Sequence, residues 1–334
     1  MNSKHFNFNP TRKQLLIAGV TVAAGLTALS LGRSYFKGGV CKIHKDLTGK
    51  VIIITGSNSG IGKETARGLA KTNATIILAC RDTQRTLPLI AELKTESQNQ
   101  NIEFMKLDLS NLPSIRAFVE EFKSKYNHLD ILINTAGVMA LPERTLTKDG
   151  FEMQMGTNHI GHFYLTNLLL DVLKASGPSR IINVSSKAHE NGKLNFDDLM
   201  QEKSYEPWGA SSQSKIANIV FTRELQRRLD LENADVKVVS LHPGVVRTEL
   251  VRHMEGPAYF IMMALWPLIV FMSKTAEQGA QTSLYCALED HGKLKGGEYY
   301  YDCEVSKKLN PVVLEDGVGE KLWKATEQYL SRDN

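Results

Sequence analysis

The sequence predicts a doubly wound α/β domain on a parallel sheet of about seven strands, behind an N-terminal membrane-anchor helix. Three observations carry this. Short apolar, β-rich runs alternate with longer helical stretches from Asp46 to about Leu330. The runs are continuously apolar, as strands covered on both faces by helices are. A glycine-rich string, TGSNSGIG, follows the first run directly and opens a helix.

The elements follow in chain order. Gln14 to Gly32 carry no charge, with Arg12 and Lys13 before them and Arg33, Lys37, Lys42 and Lys45 after. That run is close to the ~20 residues that cross a bilayer and longer than the ~7–15 apolar residues of a signal peptide. Residues 1–45 are therefore expected to be a tail and an uncleaved anchor over 14–32. The slight excess of cations after the run puts the bulk of the chain on the cytosolic side of an intracellular membrane such as the endoplasmic reticulum. Strands are expected at Lys50–Gly56, Ala74–Cys80, Ile102–Leu109, Leu129–Gly137, Arg180–Ser186, Val236–Gly244 and Gly296–Tyr301. Helices are expected over Ser114–Tyr126, Gly156–Lys174 and Ser212–Leu231, joined by right-handed crossovers. With no internal repeat, residues 46–330 form one domain.

Bulk properties exclude several functions. The 334 residues carry a net charge of only +4, with cations dispersed among acids. No basic run with interleaved aromatics exists, so nucleic acid is not an expected partner. The four cysteines, Cys41, Cys80, Cys286 and Cys303, form no C-x-x-C pair, which suggests neither a disulfide framework nor a zinc site.

The glycine string points to a dinucleotide and a Rossmann fold. Gly56, Gly60 and Gly62 allow a tight turn and close approach, and Ser57, Asn58, Ile61 and Lys63 complete the loop. The helix N-terminus then offers free N–H groups to a pyrophosphate. In NAD-preferring sites an acid at the end of the second strand bonds the ribose 2′-OH. Here Arg81 holds that place and Lys63 follows the last glycine, which favours a 2′-phosphate and NADP(H) over NAD(H). A one-residue register shift to Asp82 would reverse the preference. Asp108, followed by Leu109 at the end of the third strand, is a candidate acceptor for the adenine amino group. Ser110 is the expected cap of the next helix. Asn134, Ala136 and Gly137 in NTAG are small enough to let a cofactor lie against the backbone at the sheet's carboxyl edge.

TGSNSGIG, NTAG, NHIGHF, RIINVSS, the Lys215 helix and HPGVVRTEL stand in an order that resembles the short-chain dehydrogenase/reductase family. The resemblance covers nearly all of Asp46–Leu330. GIGKETARGLA, LACRD, GHFYLTNLLLDVL and SKIANIVFTREL are similar to its retinol dehydrogenase branch. The resemblance implies NADP(H), a hydrophobic alcohol or carbonyl substrate (a retinoid, steroid or lipid aldehyde) and an anchor in membrane lipid. A homodimer is compatible with it. It implies that Ser186 bonds the substrate oxygen and Asn158 holds a proton-relay water. Lys215 would bond the nicotinamide ribose and lower the pKa of the acid. Pro243, Val246 and Thr248 would line the nicotinamide end, with Thr248 on its amide.

One position departs from the family. Its pattern is Tyr, three residues, Lys, and here Ser211 stands where the Tyr belongs. Residues four apart share a helix face, so both side chains serve one site. A phenol begins near pKa 10 and a neighbouring cation lowers it. A serine hydroxyl is a far weaker acid, set back by the length of a phenyl ring. Three readings follow: an active enzyme in which Ser211 is a substitution, an enzyme with another donor, or a catalytically impaired NADP(H)- or lipid-binding relative. Tyr205, Ser212, or a water held by Ser211 and Lys215 are the candidate donors. On the substrate side, Ala258–Met272 is strongly apolar and contains Pro267. It is expected to be either a buried helix or a membrane-touching lid, in which Met262, Met263 and Met272 fit irregular apolar ligands.

Overall fold

A computed structural model describes residues 12, 27, 30–247, 266 and 269–331. Most of the expected anchor, most of the apolar Ala258–Met272 run, and Thr248 lie outside them. Among the described residues, no helix is long and apolar enough to cross a membrane.

The sheet consists of β1 (Val51–Thr55), β2 (Thr75–Cys80), β3 (Ile102–Lys106), β4 (Ile131–Asn134), β5 (Ser179–Val184), β6 (Val236–Leu241), β7 (Tyr299–Tyr301) and β8 (Glu304–Val305). Its order is β3-β2-β1-β4-β5-β6-β7-β8. All pairs are parallel except β7–β8. β8 adds to the expected strands: its two residues are exposed and too few to show a strand's alternation. β1 is buried along its whole length. Ile53 faces one core, while Ile52 and Ile54 face the other, as the two-residue period of a strand requires. β3 lies at the edge, so Glu103 and Lys106 are exposed.

The helices are α1 (Gly60–Ala70), α2 (Thr83–Ser97), α3 (Leu112–Lys125), α4 (Gly161–Ser176), α5 (Pro207–Leu231), α6 (Ala276–Leu288) and α7 (Val318–Ser331). Phe118 and Phe122 of α3, Leu169 of α4, Phe221 of α5 and Leu322 of α7 build the first core. Leu69 of α1, Leu93 of α2 and Cys286 of α6 build the second. The chain winds outward from β1 to β3, then returns to β4. This reversal opens a crevice at the carboxyl ends of β1 and β4.

Three helix starts differ from expectation, each for a local reason. α3 is preceded by Asn111 rather than capped by Ser110, and its Leu112 N–H donates to the distant Asp149 carboxylate at 2.8 Å. Ser110 instead donates to Asp108 at 2.6 Å. The helix expected from Gly156 is preceded by a turn at Met153–Met155 and a π turn at Gly156–Ile160. α5 begins earlier than Ser212, because Glu206 accepts from the Trp208 and Gly209 N–H groups and Pro207 needs no partner for its nitrogen. Ser211 therefore lies within α5.

Candidate active site

Backbone forms the dinucleotide end of the crevice. Gly56 has φ +64, and a Cβ there would lie 2.7 Å from Ala136 Cα. A Cβ on Gly62 would overlap the Gly56 carbonyl oxygen and lie 3.0 Å from Ser57 Cα. Ser57 and Asn58 turn inward: Ser57 Oγ donates to Ile54 O at 3.0 Å, and Asn58 Nδ2 to Thr86 Oγ1 at 3.2 Å. The N-terminus of α1 has no side-chain cap and no acid in its first turn. Its N–H groups and positive dipole end thus suit an anion such as a pyrophosphate.

Charges around the end of β2 are already sorted. Lys63 lies 3.3 Å from Glu92. Asp82 caps α2, accepting from Arg85 N at 3.1 Å. Arg81 is exposed just beyond β2 and makes no ion pair among the described residues. Asp108 accepts from the backbone and side chain of Ser110 and lies 3.8 Å from Lys148, so its carboxylate is substantially engaged. Leu109 is buried, its carbonyl against Gly161. Asn134 also turns inward, and its amide donates to Asn183 Oδ1 at 2.8 Å and Thr166 Oγ1 at 3.1 Å. It is a strut between β4, β5 and α4, and its neighbours Ala136 and Gly137 shape the crevice wall.

Asn158, Lys215 and Gly137 converge at the end of β4. A Cβ on Gly137 would lie 3.0 Å from Asn158 Oδ1 and 3.4 Å from Lys215 Nζ. Asn158 is fully buried in the π turn. Its Oδ1 accepts from Val138 N at 2.8 Å, while Nδ2 donates to Val138 O and Ser214 Oγ, both at 2.9 Å. Lys215 donates to Val184 O at 3.1 Å, and burial pulls its pKa down to about 8. Ser186 caps the turn Lys187–Asn191, accepting from Ala188 N at 3.2 Å, which leaves its O–H available to donate.

The sequence reading missed a joint between the two ends. Thr55 Oγ1 accepts from Thr135 N at 2.9 Å and Ala136 N at 3.0 Å. It also lies 2.9 Å from His162 Nε2, and His162 Nδ1 lies 2.9 Å from the Asn158 carbonyl. A carbonyl only accepts, so Nδ1 carries the proton. Burial pushes the His162 pKa down to about 3, so the ring is neutral and Nε2 accepts the Thr55 hydroxyl. The available signal was the four-residue spacing of Asn158 and His162 in NHIGHF.

Ser211 is 1% exposed, and its carbonyl accepts from Ser214 Oγ at 2.7 Å. Two alternative donors are positioned poorly. The Tyr205 hydroxyl donates to Leu141 O at 2.7 Å and accepts from Gln154 Nε2 at 3.0 Å. Ser212 packs against Gly192, where a Cβ would lie 2.7 Å from the serine Cβ. Beyond β6, Pro243 and Val246 pack beside the glycine-rich loop: a Cβ on Gly279 would lie 2.6 Å from Val246, 3.3 Å from Ile61 and 3.5 Å from Pro243.

Comparison with known proteins agrees with this geometry. The family model for short chain dehydrogenases matches residues 50–256. The chain belongs to that family. Within it the chain falls in the retinol dehydrogenase branch. It is 46% identical to human retinol dehydrogenase 12, over 89% of this chain and 92% of that relative. It is 43% identical to human retinol dehydrogenase 13, over 94% of this chain and 93% of that one. Among solved structures, an uncharacterised protein from Mycobacterium Paratuberculosis is 35% identical with TM-score 0.71, covering 87% of this chain and 97% of its own. Salutaridine reductase from Papaver somniferum, at 21% identity, shares the fold with TM-score 0.58, over 75% of this chain and 99% of its own. The chain is thus built as an oxidoreductase of the retinol dehydrogenase type.

Proposed function

We propose that the protein is an NADP(H)-dependent oxidoreductase acting on a hydrophobic alcohol or carbonyl compound, with its proton-transfer step weakened at Ser211. The observation that carries the cofactor choice is the pair Arg81 and Asp82. The arginine stands exposed at the end of β2 with no ion pair among the described residues, while the carboxylate is spent on capping α2. A 2′-phosphate suits that arrangement better than a 2′-hydroxyl. The names of the retinol dehydrogenase relatives support a retinoid or similar lipid aldehyde as substrate.

A dinucleotide held in the crevice would supply or take the hydride. The chain's own residues do the rest. Ser186 donates to the substrate oxygen and polarises it. Lys215 holds the ribose, and Asn158 keeps the end of β4 and α5 in register. The proton has no phenol to come from, so it passes through water beside Lys215. Losing a positioned acid costs roughly 10²–10⁴ in rate.

The test sets the protein beside its Ser211→Tyr variant, following NADPH oxidation with all-trans retinal and a panel of lipid aldehydes. The tyrosine variant is expected to be faster by about 10²–10⁴. Comparable rates would show that another donor works. A second reading, a cofactor-binding protein with no turnover, is favoured by the commitment of the Tyr205 hydroxyl elsewhere. NADPH binding without turnover in either protein would support it.

The uncharged run 14–32 is proposed as the membrane anchor, with the domain facing the cytosol. Alkaline carbonate extraction should leave the full chain in the membrane pellet; its release would remove the anchor assignment.

A further inference from the structure

The segment joining the apolar N-terminal run to β1 is tied tightly to the far end of the chain. Residues 30–37 are helical. Arg33 Nη1 donates to the carbonyl oxygens of Phe271 at 2.9 Å and Ser273 at 2.8 Å. These groups lie at the end of helical residues 269–272, where a helix leaves carbonyls without internal partners. Phe36 packs edge-on to Phe271, with ring centroids 5.8 Å apart. Gly38, at φ +71, and Gly39 then pass so close to Asp302 that a Cβ on either would overlap it. Cys41 N donates to Gln281 Oε1 on α6 at 3.0 Å.

These contacts converge on Lys274, which is 3% exposed and ion-paired with Asp302. Its backbone brackets the loop after β6. Lys274 N donates to Val245 O at 2.7 Å, and Arg247 N donates to Lys274 O at 2.9 Å. Gly244, at φ +90, lies against the same side chain, where a Cβ would be 2.8 Å from Lys274 Cδ. Val246 of that loop in turn meets Gly279 of α6, which Ile61 of the glycine-rich loop also flanks. Residues 30–41 and 269–274 both lie outside the part of the chain that the family model matches.

We infer that Arg33 is a positioning residue for the nicotinamide end of the crevice: its strap fixes Ser273 and Lys274, and Lys274 fixes the Val245–Arg247 backbone. The inference rests on the NADP(H) reading of the crevice. It makes the strap a part of the site's wall as well as a link to the N-terminal run.

The test uses the full chain in detergent micelles and the variants Arg33→Gln and Arg33→Lys. Two ligands are titrated: NADPH, and adenosine 2′,5′-bisphosphate, which lacks the nicotinamide. Amide hydrogen exchange is read alongside. Arg33→Gln should weaken NADPH by roughly 2- to 30-fold, the range of couplings carried through packed networks. It should leave the bisphosphate unchanged and speed exchange at Lys274 and Arg247 but not at Ile53. Arg33→Lys, which keeps the charge on a shorter side chain without the planar guanidinium, should fall between. Unchanged NADPH affinity overturns the inference. Parallel weakening of both ligands with faster exchange everywhere also overturns it, because that is general destabilisation. If the parent protein binds neither ligand, the NADP(H) reading fails. Exchange alone then judges the strap: faster exchange confined to Lys274 and Arg247 keeps it, and no change removes it.

Discussion

The two ends of the crevice are built from different materials. At the proposed dinucleotide end the working groups are backbone, and Gly56 and Gly62 have no room for a side chain. At the proposed proton-transfer end they are side chains, namely Asn158, Ser186, Lys215 and the position of Ser211. The difference teaches which end tolerates change. Backbone geometry fails with the fold, whereas a reactive side chain can be exchanged while the fold persists. On the proposed reading Ser211 is such an exchange: it is buried in an unbroken α5, and the surrounding hydrogen bonds are intact.

The largest expected effect breaks the dinucleotide end. Gly62→Val must move the Gly56 carbonyl or the Ser57 backbone, neither of which is a flexible side-chain tip. NADPH binding should fall by more than about 100-fold, and stability by about 1–3 kcal/mol, the usual cost of overpacking. Calorimetric titration and urea unfolding measure the two. Binding within about tenfold of the parent would sink the claim that backbone approach matters there, since tenfold is 1.4 kcal/mol.

Acid should break the joint between the ends at His162, together with a second buried ring outside it, His159, which lies against Asn218 and Thr326. Both rings are buried and neutral, the pKa of His159 pushed down by desolvation to about 4 and that of His162 to about 3. Unfolded, each returns to an ordinary histidine value near 6.5. Below that pH the unfolded chain binds more protons than the folded one, so stability falls as pH drops from about 6.5 towards 4. The slope is of order 1.4 kcal/mol per pH unit for each histidine. Urea midpoints between pH 7 and pH 4.5 read it directly. A flat profile would mean that these rings are not held neutral.

The ribose end offers a smaller and more selective break. Arg81→Glu removes the cation without touching the glycine turn. NADPH affinity should drop by roughly 10- to 100-fold, the worth of one charge-assisted hydrogen bond. NADH should lose far less. Equal losses for both would point to the helix N-terminus as the only recognition element.

The same division explains what the sequence disclosed. Strand–helix alternation and the glycine spacing are local signals, so the sheet, its order of elements and the glycine turn were legible. Ser57, Asn58 and Asn134 are expected beside the cofactor because of the motifs they stand in, TGSNSGIG and NTAG. Their side chains face inward, and partners far along the chain, such as Thr86 for Asn58 and Asn183 for Asn134, decide that. The Thr55–His162–Asn158 joint was hidden for the same reason, since Thr55 is remote in sequence from the π turn it supports. β8 has only two exposed residues and no pattern to detect. The Arg33 strap involves residues at opposite ends of the chain, which no local pattern connects.

The smallest expected effect sharpens the proton-transfer end. Tyr205 is the only tyrosine that the sequence offered as a substitute acid. A surrogate donor needs its hydroxyl free to point at the substrate oxygen. Here that hydroxyl already donates to Leu141 O and accepts from Gln154 Nε2. Burial also raises its pKa, the wrong direction for an acid that must release its proton. Tyr205→Phe should therefore leave any turnover of the Ser211 protein within about twofold, far below the 10²–10⁴ attached to a working acid. It should still cost about 1 kcal/mol of stability for the lost hydrogen bonds, seen as a lower urea midpoint. A large fall in turnover with an unchanged midpoint would move Tyr205 into the proton path, and the water beside Lys215 would lose its role.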